Sequence, residues 1–317
     1  DALSRDALAG TLRARRDGSL DRVPGGPSFL AWASALEEIR SAAVLDAARA
    51  QWTAQLAVLA PGALFHGASP GAVADEVRSE VTLDPTTSGA IVDGAHGAYR
   101  TKRGDALVLA LARALATELP HAAAVPIELE SYGRAVDELP DPARRFDAAR
   151  AVGWFSTTYP GVVPAWAARS DELGEAIKAT KEALRAAPDG GQSFALLGLD
   201  VPRREVLLND LGPQAGDPMQ PAPELGPLRS DAGGRAYALE VNVWIEDGLV
   251  RARLSYALPA VDPDAGARIA CAFADELRAF AEHCAGGPDG GATPSDFPLA
   301  GLDQAQLDRL ADQLGEG

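Results

Sequence analysis

The alternation of hydrophobic and polar residues predicts a strand over residues 125–130, which read V-P-I-E-L-E. A period of two places Glu128 and Glu130 on the same face of this strand. The following Ser-Tyr-Gly ends the strand and leaves Glu130 at its tip. Taken by itself, the pattern is most typical of a half-buried strand whose two acids are solvated.

Similar patterns predict further strands. The clearest is a hairpin, because L-E-V-N-V-W-I-E and L-V-R-A-R-L-S-Y are joined by Asp247-Gly248, a favoured pair for tight turns. Residues 153–155 (G-W-F) are aromatic and typical of a strand, and we expect that strand to end at Tyr159-Pro160. Strands are also predicted over 76–83, 194–199 and 205–212.

Helical spacing of apolar residues predicts the remaining elements. A helix over 105–118 is apolar nearly all round, which indicates burial between other elements. Ser170 is the expected N-cap of another helix, with Leu173, Ile177 and Leu184 on its apolar face. Further helices are predicted over 4–16, 28–40, 42–58 and 264–284. Since strands and helices alternate, the fold class is mixed α/β.

Composition narrows the possible partners. The net charge of −16 argues against nucleic acid or an anionic membrane as a partner, because no positive surplus is available to neutralise phosphates. No apolar run reaches the roughly 18 residues of a membrane span. Cys271 and Cys284 fit a reduced compartment, so we expect a cytoplasmic protein. The chain begins without Met, directly in a predicted helix, and we therefore expect an upstream portion to be missing.

Common catalytic motifs do not occur in the sequence. The four histidines are scattered and the cysteines lack a paired-ligand spacing, so a zinc site is not expected. Phosphate loops, dinucleotide fingerprints and the G-x-S-x-G nucleophile motif are also absent from the sequence. The remaining candidates are polar residues near predicted strand ends and the chain start: Asp1, Glu130, Arg150, Asn209 and Asp210.

Six segments nevertheless match known motifs in their family order. Residues 129–135 (L-E-S-Y-G-R-A) resemble L-E-G-H-G-R-E, and residues 150–160 (R-A-V-G-W-F-S-T-T-Y-P) resemble R-T-V-G-W-F-T-x-x-Y-P. The other matching segments are 98–112, 177–197, 208–213 and 295–310. These motifs resemble those of the condensation and epimerization domains of nonribosomal peptide synthetases. The 150–160 motif is more typical of epimerization domains.

This resemblance implies an α/β, chloramphenicol acetyltransferase-like fold with two lobes in a V shape. Residues 1–45 would form the end of the N-terminal lobe and residues 46–317 the C-terminal lobe. The family motif H-H-x-x-x-D-G-x-S would place its aspartate at Asp1, with Ala2 in place of the glycine. Both histidines and about a third of the domain would then lie upstream.

The implied activity is epimerization of an L-aminoacyl or peptidyl thioester. The substrate is carried on the 4′-phosphopantetheine arm of a peptidyl carrier protein, and the domain binds no cofactor or metal directly. Glu130 corresponds to the base and Asp1 to the residue that orients the histidine motif. Residues implied in binding the substrate or its arm are Arg150, Tyr132, Trp154 and Asn209.

Two alternatives remain open at this point. The sequence departs from the family motifs at Ala2, Tyr132, Ala135, Ser193 and Asp210. Several departures favour a catalytically silent relative, such as the X domains that recruit a tailoring cytochrome P450. The second alternative is a peptide-bond-forming condensation domain, which the V-G-W-F segment disfavours.

Overall fold

A computed structural model describes most of the chain. The described residues are 2–19, 26, 28–40, 45–57, 65, 69–94, 96–118, 124–134, 148, 151–199, 205–214, 229–286 and 291–315. Asp1, Ala135 and Arg150 lie outside these ranges. The roles predicted for Asp1 and Arg150 therefore stay predictions.

Helices and strands alternate along the chain, which confirms the mixed α/β class. The helices are α1 (Ala2–Arg16), α2 (Phe29–Arg40), α3 (Leu45–Leu56), α4 (Pro85–Gly89), α5 (His96–Tyr99), α6 (Arg103–Glu118), α7 (Leu173–Arg185), α8 (Gln192–Leu197), α9 (Pro263–Gly286) and α10 (Gln304–Gly315). The strands are β1 (Val77–Thr82), β2 (Ala124–Ser131), β3 (Thr157–Pro164), β4 (Val206–Pro213), β5 (Leu239–Glu246) and β6 (Leu249–Tyr256).

The strands form one sheet in the order β1-β6-β5-β4-β2-β3. The predicted hairpin is confirmed, since β5 and β6 pair antiparallel around Asp247-Gly248. Strand β1 also pairs antiparallel with β6, whereas β4 pairs parallel with both β5 and β2. Among the described residues, no helix combines the length and apolar character needed to cross a membrane.

Contacts divide the chain into two compact units. The first contains the described residues of Asp1–Ala57, Glu130–Pro160 and Ala187–Val201, and the second contains those of Val58–Leu129, Gly161–Ala186 and Pro202–Gly317. This division by contacts does not test the lobe boundary at residue 45, which stays a prediction.

The second unit is built around one face of the sheet. Ile127, Leu208, Val241 and Leu254 are almost fully buried on that face. Helix α9 packs against β1 and against α6, in which every residue from Ala106 to Ala112 is at most 2% exposed. The predicted burial of this all-apolar helix is thus confirmed.

The first unit has an aromatic core. Trp52 is fully buried and packs edge-to-face on Phe194, with ring centroids 4.9 Å apart. Trp32, Ile39 and Phe155 belong to the same cluster. Edge-to-face pairs of this kind stabilise beyond the area that they bury.

Two predicted strands differ in the structure. Residues 192–197 form helix α8 instead of a strand, because left-handed Asp189, Gly190 and Gly191 turn the chain directly into a helix that buries Phe194 and Leu197. Residues 151–156 have no regular structure. Strand β3 starts only at Thr157 and continues through Pro160 to Pro164; an edge strand tolerates prolines because its outer N–H groups need no partner.

The start of α7 also differs. The N-cap is Glu172, and Ser170 lies before it, where the Ser170 Oγ accepts a hydrogen bond from the Glu172 backbone N–H at 3.0 Å. The predicted apolar positions are correct for Ile177, which is 1% exposed.

Helix α7 supplies the polar contacts that connect several segments of the second unit. The Lys181 side chain is 1% exposed, and its Nζ donates at 2.7 Å to both carboxylate oxygens of Asp296 and at 2.9 Å to the Tyr99 carbonyl. Arg185 forms a two-point ion pair with Asp105 at 2.8 and 2.6 Å. A buried ammonium is tolerated only with such partners.

The contact with Lys181 sets the protonation of Asp296. Burial by itself raises the pKa of this carboxyl, but hydrogen bonds from Lys181 and from the Thr293 backbone N–H outweigh burial and lower the pKa. The carboxylate form is therefore favoured in the folded protein.

We expect Asp296→Ala to lower the free energy of unfolding by about 3 kcal/mol at pH 7, because the Lys181 charge would stay buried without its acid. Urea denaturation measures this change. The control is Asp275→Ala, which removes an exposed ion pair with Arg278 and should cost less than about 1 kcal/mol.

The pH dependence of the same pair has a defined sign. Since folding lowers the pKa of Asp296, its contribution is complete above the unfolded value of about 4 and declines as pH falls through the folded value. The difference between wild type and Asp296→Ala should therefore shrink in acid. A difference that grows below pH 4 would contradict this assignment.

Candidate functional site

The side of the sheet opposite the apolar core carries polar residues on five adjacent strands. Pairing aligns Glu80, Arg253, Asn242 and Asn209 in one row across β1, β6, β5 and β4. We call this side the polar face; it comprises Arg78, Glu80, Glu128, Asn209, Glu240, Asn242, Trp244, Arg251, Arg253 and Ser255. Strand alternation gives these residues a common side.

Much of the polar face is buried. Glu240, Asn242 and Arg253 are 2%, 7% and 8% exposed. Glu128 is also buried at 6%, so the expectation that it is a solvated acid is wrong. Burying such groups costs free energy unless they have partners.

Most charges on and beside the polar face are paired. Arg253 donates to Glu80 at 3.0 and 2.7 Å. The fully buried Arg235 forms a short contact with Glu76 and donates to the Ser255 carbonyl at 2.7 Å. Arg229 Nη1 donates to Glu240 at 3.0 Å, a hydrogen bond that raises the pKa of Arg229. The positive charges of these arginines are thus neutralised within the second unit.

The polar face also carries three neutral side chains, Asn209, Asn242 and Trp244, whose hydrogen bonding differs from that of the charged residues around them. Asn209 lies opposite Asn242 on the neighbouring parallel strand, and Trp244 follows two residues after Asn242 on the same side. The Arg253 guanidinium lies 5.6 Å from the centre of the Trp244 ring. Within the described residues, no side-chain hydrogen bond to another protein group is found for any of the three.

The end of β2 is held by the segment around Phe155, within the first unit. Gly133 has a φ of 62°, and a Cβ added there would lie 1.7 Å from the Phe155 carbonyl oxygen. Only glycine fits such a close backbone approach at positive φ. The motif glycine is therefore required by packing.

Arg134 strengthens the same contact. Its guanidinium lies 4.0 Å above the centre of the Phe155 ring, and its Nη1 donates to the Ala151 carbonyl at 3.0 Å and, in a shorter contact, to the Ala148 carbonyl. Burial lowers the pKa of this guanidinium. The L-E-S-Y-G-R and V-G-W-F segments are thereby packed together, which fixes the chain just after Glu130.

The structure places four of the six predicted site residues. Glu130 is half-buried near the end of β2, two residues after Glu128 and on the same side of the strand. Tyr132 is 54% and Trp154 79% exposed. These three belong to the first unit, whereas Asn209 lies on the polar face of the second. Their roles toward a substrate stay predictions.

Two departures from the family motifs have specific partners. Asp210 accepts a two-point ion pair from Arg103 at 2.8 and 3.0 Å and a hydrogen bond from the Gly212 N–H at 3.1 Å. The fully buried Ser193 accepts a hydrogen bond from Trp52 Nε1 at 3.1 Å. Both substitutions are therefore accommodated by the fold.

Histidine and cysteine residues in the described part of the chain are not clustered. His283 Nε2 lies 2.7 Å from the Tyr99 hydroxyl, a hydrogen bond inside the second unit. Cys271 and Cys284 are free thiols, and burial raises the pKa of Cys284 to about 11. No group of three or more His, Cys, Asp or Glu residues there is placed to hold a metal ion.

Sequence reasoning missed Asn242, Trp244 and Arg253. The predicted hairpin does carry these residues at alternate positions. They are Glu240, Asn242 and Trp244 on one strand and Arg251, Arg253 and Ser255 on the other. Such alternation normally marks a solvated face, and sequence carries no sign that this face is buried.

The chain is similar to parts of nonribosomal peptide synthetases. It is 30% identical over 331 aligned positions to chondramide synthase cmdD of Chondromyces crocatus, covering 98% of the chain and 8% of that synthase. The chain thus spans less than a tenth of this relative's length. No protein-family model matches the sequence.

Solved structures agree with this similarity. The epimerization domain from the third module of tyrocidine synthetase B, TycB3(E), matches with a TM-score of 0.76 and 25% identity, covering 90% of the chain and 67% of that domain. The first condensation domain of the CDA synthetase matches with a TM-score of 0.61 and 18% identity, covering 90% and 63%. The expected type of fold, that of the condensation domains, is confirmed.

We expect Gly133→Ala to destabilise the protein by about 1–3 kcal/mol from its left-handed backbone alone, with a further cost from the Phe155 carbonyl. Urea denaturation followed by tryptophan fluorescence measures this. The control is Gly10→Ala, in helix α1 with no atom within 4 Å of the added methyl, which should stabilise by about 0.5–1 kcal/mol. Equal effects of the two substitutions would rule out the proposed close packing.

Proposed function

The chain belongs to the condensation and epimerization domain superfamily of nonribosomal peptide synthetases, and we propose that it epimerizes an aminoacyl or peptidyl thioester. The substrate would be carried on the phosphopantetheine arm of a peptidyl carrier protein, with no cofactor bound by the chain itself. A cytoplasmic location fits this role.

The proposed reaction is a proton abstraction followed by a proton return. The thioester carbonyl acidifies the α-carbon, so a positioned carboxylate can remove its proton. The electron pair of the C–H bond moves into the carbonyl and forms an enolate. A proton delivered to the opposite face of the α-carbon then restores the C–H bond with inverted configuration. The thioester itself stays intact.

We assign the base to Glu130, and its placement is the observation that carries the proposal. The residue lies near the end of β2, half-buried, directly before the segment that Gly133 and Arg134 fix against Phe155. A carboxylate on a fixed strand end can be held within reach of a substrate carbon. The family's histidine motif would supply the group on the opposite face.

The comparisons support epimerization over condensation. The epimerization domain of tyrocidine synthetase B matches with a higher TM-score and a higher identity than the CDA condensation domain. The R-A-V-G-W-F-S-T-T-Y-P segment is also more typical of epimerization domains.

The other assigned residues have supporting roles in this proposal. Asn209 would hydrogen-bond the arm or the enolate from the polar face. Tyr132 and Trp154 are exposed and would contact the substrate or its arm. Arg150 would contribute to the same binding, and Asp1 would orient the histidine motif.

A silent X-type domain that recruits a cytochrome P450 is the second candidate. It is favoured by Tyr132, which stands where the family motif has histidine and is 54% exposed. The partners of Ser193 and Asp210 fit either candidate, because these contacts stabilise the fold. The two candidates differ in whether the α-proton exchanges.

We expect the protein, expressed as its gene encodes it, to exchange the α-proton of an L-aminoacyl carrier protein in D₂O. Glu130→Gln should slow this exchange at least about 100-fold, since general-base catalysis contributes about 10²–10⁴-fold. Mass spectrometry of the released amino acid measures deuterium incorporation. The control is Glu282→Gln, an exposed residue of α9, which should exchange at the wild-type rate.

Absence of exchange with the wild-type protein and a panel of L-aminoacyl carriers would exclude the epimerase. Tight binding of a P450 without exchange would establish the silent alternative. Unchanged exchange in Glu130→Gln would show that another residue is the base.

A further inference from the structure

In the described part of the chain, the six-stranded sheet has two edge strands, β1 and β3. An edge strand presents backbone N–H and C=O groups that another strand can bind. Pro160 and Pro164 remove two of these donors from β3, which protects that edge. Strand β1 contains neither proline nor lysine, and it pairs with β6 in an unbroken register over six residues. Of the two edges, β1 is therefore the one that can accept a further strand.

The backbone groups of β1 point alternately toward β6 and toward the open edge. The Leu83 N–H, just after β1, donates to the Val250 carbonyl at 3.0 Å. Because alternate residues of an antiparallel strand share a hydrogen-bonding side, Arg78, Glu80 and Thr82 turn their N–H and C=O groups outward. Among the described residues, no backbone hydrogen bond is found for these three.

The charged side chains of β1 are also accessible. The Arg78 side chain is 60% and the Glu80 side chain 63% exposed. Arg78 donates to Glu76 through Nε, at 2.8 Å, which leaves its two Nη atoms for another acceptor. Both hydrogen bonds from Arg253 reach Glu80 Oε1, and no bond to Glu80 Oε2 is found in the described part of the chain. Each charge therefore retains atoms that can bind a further partner.

The sequence of β1 is self-complementary in the antiparallel direction. Residues 77–81 read V-R-S-E-V, so opposite charges stand at equal distances from Ser79. When two copies pair antiparallel around Ser79, Arg78 of each copy lies opposite Glu80 of the other. The valines at the two ends of this segment also lie opposite each other. Opposite charges and apolar side chains in such cross-strand positions stabilise a sheet.

Charge also selects this register over its neighbours. Hydrogen bonds between the copies can form only through the outward residues of each strand, so the register changes in steps of two. One step places Arg78 opposite Arg78 of the other copy, and the opposite step places Glu80 opposite Glu80. Like charges directly opposite each other are destabilising. A single register therefore combines outward hydrogen bonds with matched charges.

We propose that β1 is a self-association edge, at which two copies of this chain pair as antiparallel strands around Ser79. The interface is isologous, because the same strand serves both copies. Arg78 and Glu80 form two equivalent ion pairs across it. The two sheets thereby become one continuous sheet.

Charge reversal tests the proposed pairs. Sedimentation equilibrium of the protein, expressed as its gene encodes it, measures the equilibrium between monomer and dimer. We expect the wild type to dimerise reversibly as its concentration rises. Arg78→Glu and Glu80→Arg should each weaken dimerisation at least about tenfold, because two attractive cross-strand pairs become two repulsive ones.

An equimolar mixture of the two variants should restore the dimer, since an acidic edge then meets a basic edge. Arg40→Glu is the matched control, because it reverses an exposed charge that pairs with Glu37 in α2. It should dimerise as the wild type does. Circular dichroism verifies that each variant is folded.

Oxidative crosslinking tests the register. Ser79 pairs with its own copy at a position without hydrogen bonds, where the Cα atoms are about 4.5 Å apart and within reach of a disulfide. Ser79→Cys should therefore link the two copies, and mass spectrometry identifies the linked peptide. Val77→Cys is the control and should not link, because its two copies lie roughly 13 Å apart in this register.

These measurements can also overturn the inference. A protein that stays monomeric at every concentration, whether free or bound to another protein through β1, would do so. A dimer that Arg78→Glu and Glu80→Arg leave unchanged would do the same, as would equal yields of linked peptide from Ser79→Cys and Val77→Cys. Recovery of the dimer on mixing supports the inference, because a variant that fails to fold cannot regain binding.

Discussion

Inside the second unit the Arg235 guanidinium forms ion pairs with Glu76 and Glu240, and the Ser255 carbonyl accepts one of its hydrogen bonds. These ion pairs are the constraint on which the polar face depends, since a sheet face that is both buried and polar is unstable without internal partners. The order of the strands then matters, because β4 and β5 lie side by side and bring Asn209 opposite Asn242.

Several motif residues turn out to hold the fold together. Lys181 of the 177–197 segment binds Asp296 of the 295–310 segment, and the neighbouring Glu182 accepts the Ser295 backbone N–H at 3.2 and 3.3 Å. Arg185 binds Asp105 of the 98–112 segment in the same way. Many residues of these motifs therefore stabilise the packing of the fold and have no part in a reaction. This explains why the motif resemblance predicts the fold so well. The chemistry that we propose depends on a smaller set of residues, with Glu130 as the base.

Local patterns predicted most of the elements correctly. The hairpin, the buried helix α6 and the strand that ends near Glu130 all follow from period and turn chemistry. The prediction of a strand over residues 194–199 is wrong because a short apolar run fits a strand or a buried helix equally well. The contact of Phe194 with Trp52 decides for the helix. The partners of Ser193 and Asp210 lie 141 and 107 positions away along the chain, so no local sequence pattern could predict them.

Chirality of the product tests the central claim most directly. An L-aminoacyl carrier protein is incubated with the protein expressed as its gene encodes it, the amino acid is released from the thioester, and its enantiomers are separated. If a base acts on one face of the α-carbon and a proton returns on the other, both enantiomers should appear, and the same mixture should form from a D-aminoacyl carrier. Recovery of only the starting enantiomer from both carriers would contradict epimerization and leave a fold of this superfamily without that chemistry.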